Sequence, residues 1–71
     1  MIIKEQLLEL GFKGIWTGIR FEMVTKRHWI IYSIKDQSIK VYKDTGTMWK
    51  DVNYQVVNDI EKLKLIIEKY K

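Results

Sequence analysis

The run His28-Trp29-Ile30-Ile31-Tyr32-Ser33-Ile34 constrains the fold more than any other part of the chain. It is dense in β-branched and aromatic residues, which crowd a helix but pack well on a pleated surface, so it reads as a strand. Alternating segments flank it on both sides. Ile19, Phe21 and Met23 alternate with Arg20 and Glu22, which makes a strand of Ile19 to Val24, and Ile39 to Lys43 makes a third. Thr25-Lys26-Arg27 and Asp36-Gln37 are polar enough for tight connections, and Asp44-Thr45-Gly46 marks a further turn.

These segments thread into two hairpins. With Thr25-Lys26 as the first loop, Phe21 faces Ile30 and Ile19 faces Tyr32. With Asp36-Gln37 as the second, Ile34 faces Ile39 and Tyr32 faces Val41. Both pairings put Ile19, Phe21, Ile30, Tyr32, Ile34, Ile39 and Val41 on one face, which is the expected core face; a slip of one residue would scatter them.

Two amphipathic stretches supply the cover. From Ile2 to Leu10, the positions Ile3, Leu7 and Leu10, with Leu8 beside them, form a short helical stripe opposite Lys4, Glu5, Gln6 and Glu9. Gly11 follows where a left-handed residue is wanted, and Phe12 is placed for the apolar contact of a Schellman ending. At the other end, Asn58 and Glu61 have capping-box spacing, and Ile60, Leu63, Ile67 and Tyr70 recur at helical intervals from Asp59 to about Tyr70, widened by Leu65 and Ile66. Residues 52–57 read two ways. Val52, Tyr54 and Val56 alternate like a fourth strand, while Val52, Val56 and Ile60 would extend the helix backwards; Asn53, Asn58 and the Val56-Val57 pair favour the strand. The expected architecture is a single α+β domain over residues 1–71: an N-terminal helix, a three- or four-stranded antiparallel sheet and a C-terminal helix, both helices on one sheet face.

Composition removes several functional classes. With 71 residues and no Cys, the chain has no disulfide framework, thiolate metal site or thiol nucleophile. His28 is the only histidine, so no metal is expected, and nothing in the pattern gives it the partners of a nucleophile relay. Gly11, Gly14 and Gly18 fit neither nucleotide fingerprint, so no cofactor is expected, and Asp36 and Asp44 sit in turns where their carboxylates satisfy backbone groups. No apolar run is long enough for a bilayer and Met1-Ile2-Ile3-Lys4-Glu5 lacks a signal-peptide pattern, which makes the cytoplasm the expected compartment. The expected protein is not an enzyme.

The sheet face left over carries Arg20, Glu22, Trp29, Ile31, Ser33, Lys40 and Tyr42. Two large aromatics and an Ile among charged groups are unusual on a solvated sheet. Trp16, Trp49 or a loop could fold over them, a second copy could cover them, or another macromolecule could bind there. The formal net charge is +4, and all of it falls between residues 25 and 50, where Lys26, Arg27, Lys35, Lys40, Lys43 and Lys50 outnumber Asp36 and Asp44. Lys on an edge strand also discourages edge-to-edge pairing, which gives this charge a purely structural reading. The expected binding surface is Trp29, Tyr42 and Ile31, flanked by Arg20, Lys40 and Lys43.

Two readings of that surface follow. In the first it occludes a host protein or ribonucleoprotein, since Trp, Tyr and Arg dominate interface energetics and a sheet presents them at low entropic cost. In the second its aromatics stack the bases of RNA or single-stranded DNA while Lys and Arg hold phosphates. A self-associating homodimer with no further ligand is a third. The chain has no Ala or Pro, and its Lys outnumber its Arg 11 to 2, which is the coding bias of an AT-rich genome. In size, coding bias and lack of a catalytic motif it resembles the small inhibitors that phages and prophages encode against host defences, including anti-CRISPR proteins. The resemblance is one of general style across the whole chain; it implies a cytoplasmic inhibitor and transfers no functional residue.

Overall fold

The computed structural model describes residues 1–15 and 18–71. Trp16, one of the side chains that could fold over the open sheet face, lies outside them. Helix α1 spans Lys4–Glu9, strands β1 Lys13–Ile15, β2 Arg20–Val24, β3 His28–Ser33, β4 Ser38–Asp44 and β5 Trp49–Val56 follow, and helix α2 spans Ile60–Tyr70. The strands form one antiparallel sheet in sequence order, β1-β2-β3-β4-β5. The α+β class and the helix–sheet–helix order agree with the sequence reading. The strand count does not: among the described residues there are five, because Gly14 and its neighbours pair with β2 and residues 49–56 pair with β4.

Register explains where each side chain points. One face carries the rows Gly14–Phe21–Tyr32–Ile39–Gln55 and Met23–Ile30–Val41–Asn53. Phe21, Ile30, Tyr32, Ile39 and Val41 of this face are buried in one cluster with Ile2, Leu7 and Phe12 from the N-terminal segment and Val57, Leu63 and Ile67 from the C-terminal one. Each such side chain contributes about 1.5–3 kcal/mol of apolar burial, and a six-residue helix such as α1 depends on that docking because it cannot persist alone.

Both hairpins differ from the expected pairing by two residues. Phe21 faces Tyr32 rather than Ile30, and Tyr32 faces Ile39 rather than Val41. In the first hairpin the Thr25 N–H donates to His28 O and the His28 N–H to Thr25 Oγ1, so Thr25 is the last paired residue and Lys26-Arg27 the loop. In the second, the pairing stops at Ser33–Ser38 and residues 34–37 form a four-residue loop, with Gln37 in the left-handed region at φ 51°. A shift of two preserves the face of every side chain, so the core face survives. Its outermost member does not. Ile19 moves past the end of β2 and is 43% exposed, and Met23 takes the place opposite Ile30.

Gln37 explains why the longer loop is retained. Its Oε1 accepts from the Ile2 N–H at 2.7 Å, its Nε2 donates to Ile2 O and Ile34 O, and its carbonyl accepts from the Val57 N–H. One loop residue thus ties the N-terminal segment, the hairpin and the lead into α2. Tyr32 adds a second tie, its hydroxyl donating to Val57 O at 2.6 Å.

The helix ends follow sequence chemistry with small displacements. Phe12 N–H donates to Leu7 O and Gly11 N–H to Leu8 O, with Gly11 at φ 101°, which is the Schellman arrangement. The helix starts at Lys4, so Ile2 rather than Ile3 is buried, and Ile3 and Leu8 are exposed. The N-cap of α2 is Asp59, not Asn58: its side chain accepts from the Glu61 N–H at 3.0 Å. Leu63 and Ile67 are buried, whereas Leu65 faces solvent.

Candidate functional site

The second sheet face carries two rows across all five strands and two shorter ones. Ile15–Arg20–Ser33–Ser38–Val56 lies next to Lys13–Glu22–Ile31–Lys40–Tyr54, then Val24–Trp29–Tyr42–Asp51, then Asp44–Trp49. The buried side chains of both helices belong to the cluster on the opposite face. Five of the six expected site residues therefore share this open face: Trp29, Tyr42, Ile31, Arg20 and Lys40. Lys43 does not. It pairs with His28 and Lys50, and alternation along β4 puts it on the face of Val41.

Trp29 is in contact with two other aromatic rings. Trp29 and Tyr42, directly opposite across β3 and β4, have ring centroids 5.4 Å apart, and Trp49 reaches Trp29 from β5 at 5.9 Å. Trp29 is half-buried between these neighbours, while Trp49 is 42% exposed. Trp49 thus covers part of Trp29, one of the outcomes open from the sequence, yet it extends the aromatic surface instead of closing it. Tilted rings at these separations attract beyond simple area burial and hold one another's rotamers. The Trp29 Nε1–H donates to Glu22 Oε1 at 2.9 Å, which fixes the orientation of the indole.

Charge on this face is balanced. Lys13, Arg20 and Lys40 are matched by Glu22, Asp44 and Asp51 in the rows above. Lys40 Nζ lies 3.6 Å from Asp51 Oδ2 and 5.3 Å from the centroid of the Tyr42 ring. The Tyr42 hydroxyl and then the Asp51 carboxylate hold its ammonium above the usual Lys range. The excess positive charge of the chain is elsewhere: Lys43 and Lys50 face each other on the helix side, and Lys26 and Arg27 form the first hairpin loop.

Beside the aromatics, Arg20, Ile31, Ser33, Lys40, Tyr42 and Tyr54 help to line a groove of about 230 Å³. That is smaller than the cavities that enclose small molecules, and it is continuous with the aromatic row through Tyr42. Among the described residues no group of His, Asp and Glu side chains is placed to hold a metal ion, and no helix is long and apolar enough to cross a membrane.

Trp49, Tyr54, Asp51 and Asp44 belong to this face; the sequence reading names Trp49 only as a possible cover and does not place the other three there. Their signal was present in the alternation of Trp49, Asp51 and Tyr54, but it is broken in the middle. Tyr42 pairs with Asp51 and Val41 with Asn53, so Val52 is an extra residue in β5, and a strict period of two fails across it. Comparison with protein-family models, with curated proteins and with solved structures gives no match.

Proposed function

We propose that this chain is a non-enzymatic binding protein that occludes a partner protein or nucleoprotein through the open face of its sheet. The observation that carries this reading is the contact triad Trp29–Tyr42–Trp49, exposed in part, flanked by Ile31 and Tyr54, and set on a face of zero net charge. Large amphipathic aromatics on a rigid sheet lose little conformational entropy on binding, and ion pairs such as Lys40–Asp51 orient a partner at the rim. Trp29, Tyr42 and Ile31 are the anchors, with Trp49 added to them; Arg20 and Lys40 are rim contacts, and Lys43 has no part in the face. The size, coding bias and absence of a catalytic motif favour a cytoplasmic inhibitor from a phage or other mobile element, of the anti-defence, anti-CRISPR-like kind, whose partner is a host protein or ribonucleoprotein.

The alternative occupant is RNA or single-stranded DNA stacked on the same rings. Charge favours the protein: a backbone-tracking groove needs an excess of cations beside its aromatics, and here the excess lies off this face, with Lys43 and Lys50 on the helix side and Lys26 and Arg27 in the first hairpin loop. Capture of host partners on the immobilised protein separates the two. The expected result is a partner retained by wild type, lost with Trp29→Ala and insensitive to nuclease. A nucleic-acid grip through about five cations would weaken about a hundredfold between roughly 50 and 200 mM salt, whereas aromatic burial weakens much less. Nuclease-sensitive capture with that steep salt dependence reverses the reading.

A further inference from the structure

Strand β5 is an edge strand that pairs with β4 on one side and with no other strand among the described residues. Its eight residues contrast with the three of β1 at the opposite edge. A row of unpaired backbone N–H and C=O groups on a strand of that length is a template for another strand, which proteins blunt with charge, Pro or a bulge. In β5 the blunting is confined to one end: Lys50 and Asp51 are its only charges, and the extra residue is Val52. From Val52 to Val56 there is no charge and no Pro, and Tyr54 and Val56 are 61% and 63% exposed.

This segment, Val52-Asn53-Tyr54-Gln55-Val56, has the same chemistry read in either direction: aliphatic, amide, aromatic, amide, aliphatic. A twofold interface must be self-complementary, and antiparallel pairing about Tyr54 meets that demand. Val52 falls opposite the partner's Val56, Asn53 opposite the partner's Gln55, and Tyr54 opposite the partner's Tyr54. Opposed residues in such a pair share a face, so the amides stay on the helix side, where Asn53 adjoins Val41 and Gln55 adjoins Ile39. Tyr54 and Val56 stay on the open side.

We propose that two copies of this chain pair antiparallel through β5 about Tyr54, joining their sheets into one and placing both aromatic faces on the same side. The pairing consumes both long edges and leaves, among the described residues, the three-residue β1 edges, so it closes at the dimer. It requires no occupant on Trp29, Tyr42 or Trp49 and shares Tyr54 with the open face.

Sedimentation of the full chain over micromolar to millimolar concentrations tests this. The wild type is expected to double its mass with concentration. Tyr54→Lys and Tyr54→Glu each place like charges directly opposite and are expected to sediment as folded monomers, while their equimolar mixture recovers the doubled mass. The chain has no cysteine of its own, so Tyr54→Cys under mild oxidation is expected to give a covalent dimer, a readout that holds even where a charged variant loses its fold. A wild type that stays monomeric throughout overturns the proposal. So does a dimer that both charged variants leave intact, or a Tyr54→Cys chain that fails to cross-link.

Discussion

The two faces of this sheet are built from the same strands with opposite logic. On the helix side, Phe21, Ile30, Tyr32, Ile39 and Val41 are sealed beneath side chains from both ends of the chain, and the one polar group among them, the Tyr32 hydroxyl, is bonded to Val57 O. On the open side, Tyr42 and Trp49 pack on Trp29 but keep a solvent boundary, with Glu22 and the Lys40–Asp51 pair set among them. The first face spends its apolar surface on folding. The second leaves part of its aromatic surface at the solvent boundary, where the fold gains only part of its burial; under the proposed function a partner completes it.

The largest effects are expected on the covered side. Phe21→Ala and Ile30→Ala each remove a fully enclosed side chain and are expected to cost about 2–5 kcal/mol, measured by denaturant unfolding. An unchanged unfolding midpoint in either variant means that the core face is misassigned.

A second contrast concerns pH. Burial pushes the Tyr32 phenol up to about 12 from 10.0. Between those values the unfolded chain releases the proton and the folded chain keeps it. Stability is therefore complete below pH 10 and declines as pH rises toward 12, by about 1.4 kcal/mol per pH unit at most and about 2–3 kcal/mol in total. Tyr32→Phe is expected to lose this component of the alkaline decline. At neutral pH it should cost about 1–3 kcal/mol, because Val57 O is left without its donor. Unfolding curves of the two proteins from pH 8 to pH 12 check both effects; parallel curves would remove Tyr32 as the cause.

On the open side the expected effects move from stability to binding. Trp29→Ala should weaken partner affinity by about 2 kcal/mol while lowering stability by less, since the indole is only half-buried and its neighbours can close in. Calorimetry of the complex and of unfolding measures the two together, and a larger loss in stability than in affinity would make Trp29 a core residue. The smallest effect is expected at Lys40. Lys40→Gln removes an exposed ion pair and should leave the melting temperature unchanged, with any change confined to the rate of association.

What the sequence determined by itself is the identity of the elements and the face on which each side chain lies. β-Branched and aromatic alternation marks β2, β3 and β4, Gly11-Phe12 ends α1, and Leu63 and Ile67 seat α2, because each signal is local and the burial of one face forbids odd register shifts. The same parity placed Trp29, Ile31, Tyr42, Arg20 and Lys40 together. Lys43 was expected beside them and is not there: it shares the parity of Val41 on β4, which the sequence reading left unapplied at that position. Only the tertiary structure decided the rest. Shifts of two leave parity unchanged, so the choice between neighbouring registers falls to contacts distant in sequence, above all the hydrogen bonds from Gln37 to Ile2 across 35 positions. β1 is too short to announce itself and exists because β2 offers an edge. The extra residue at Val52 hides the membership of Trp49 and Asp51 in the open face, since a local period cannot record an insertion that is defined only against the partner strand.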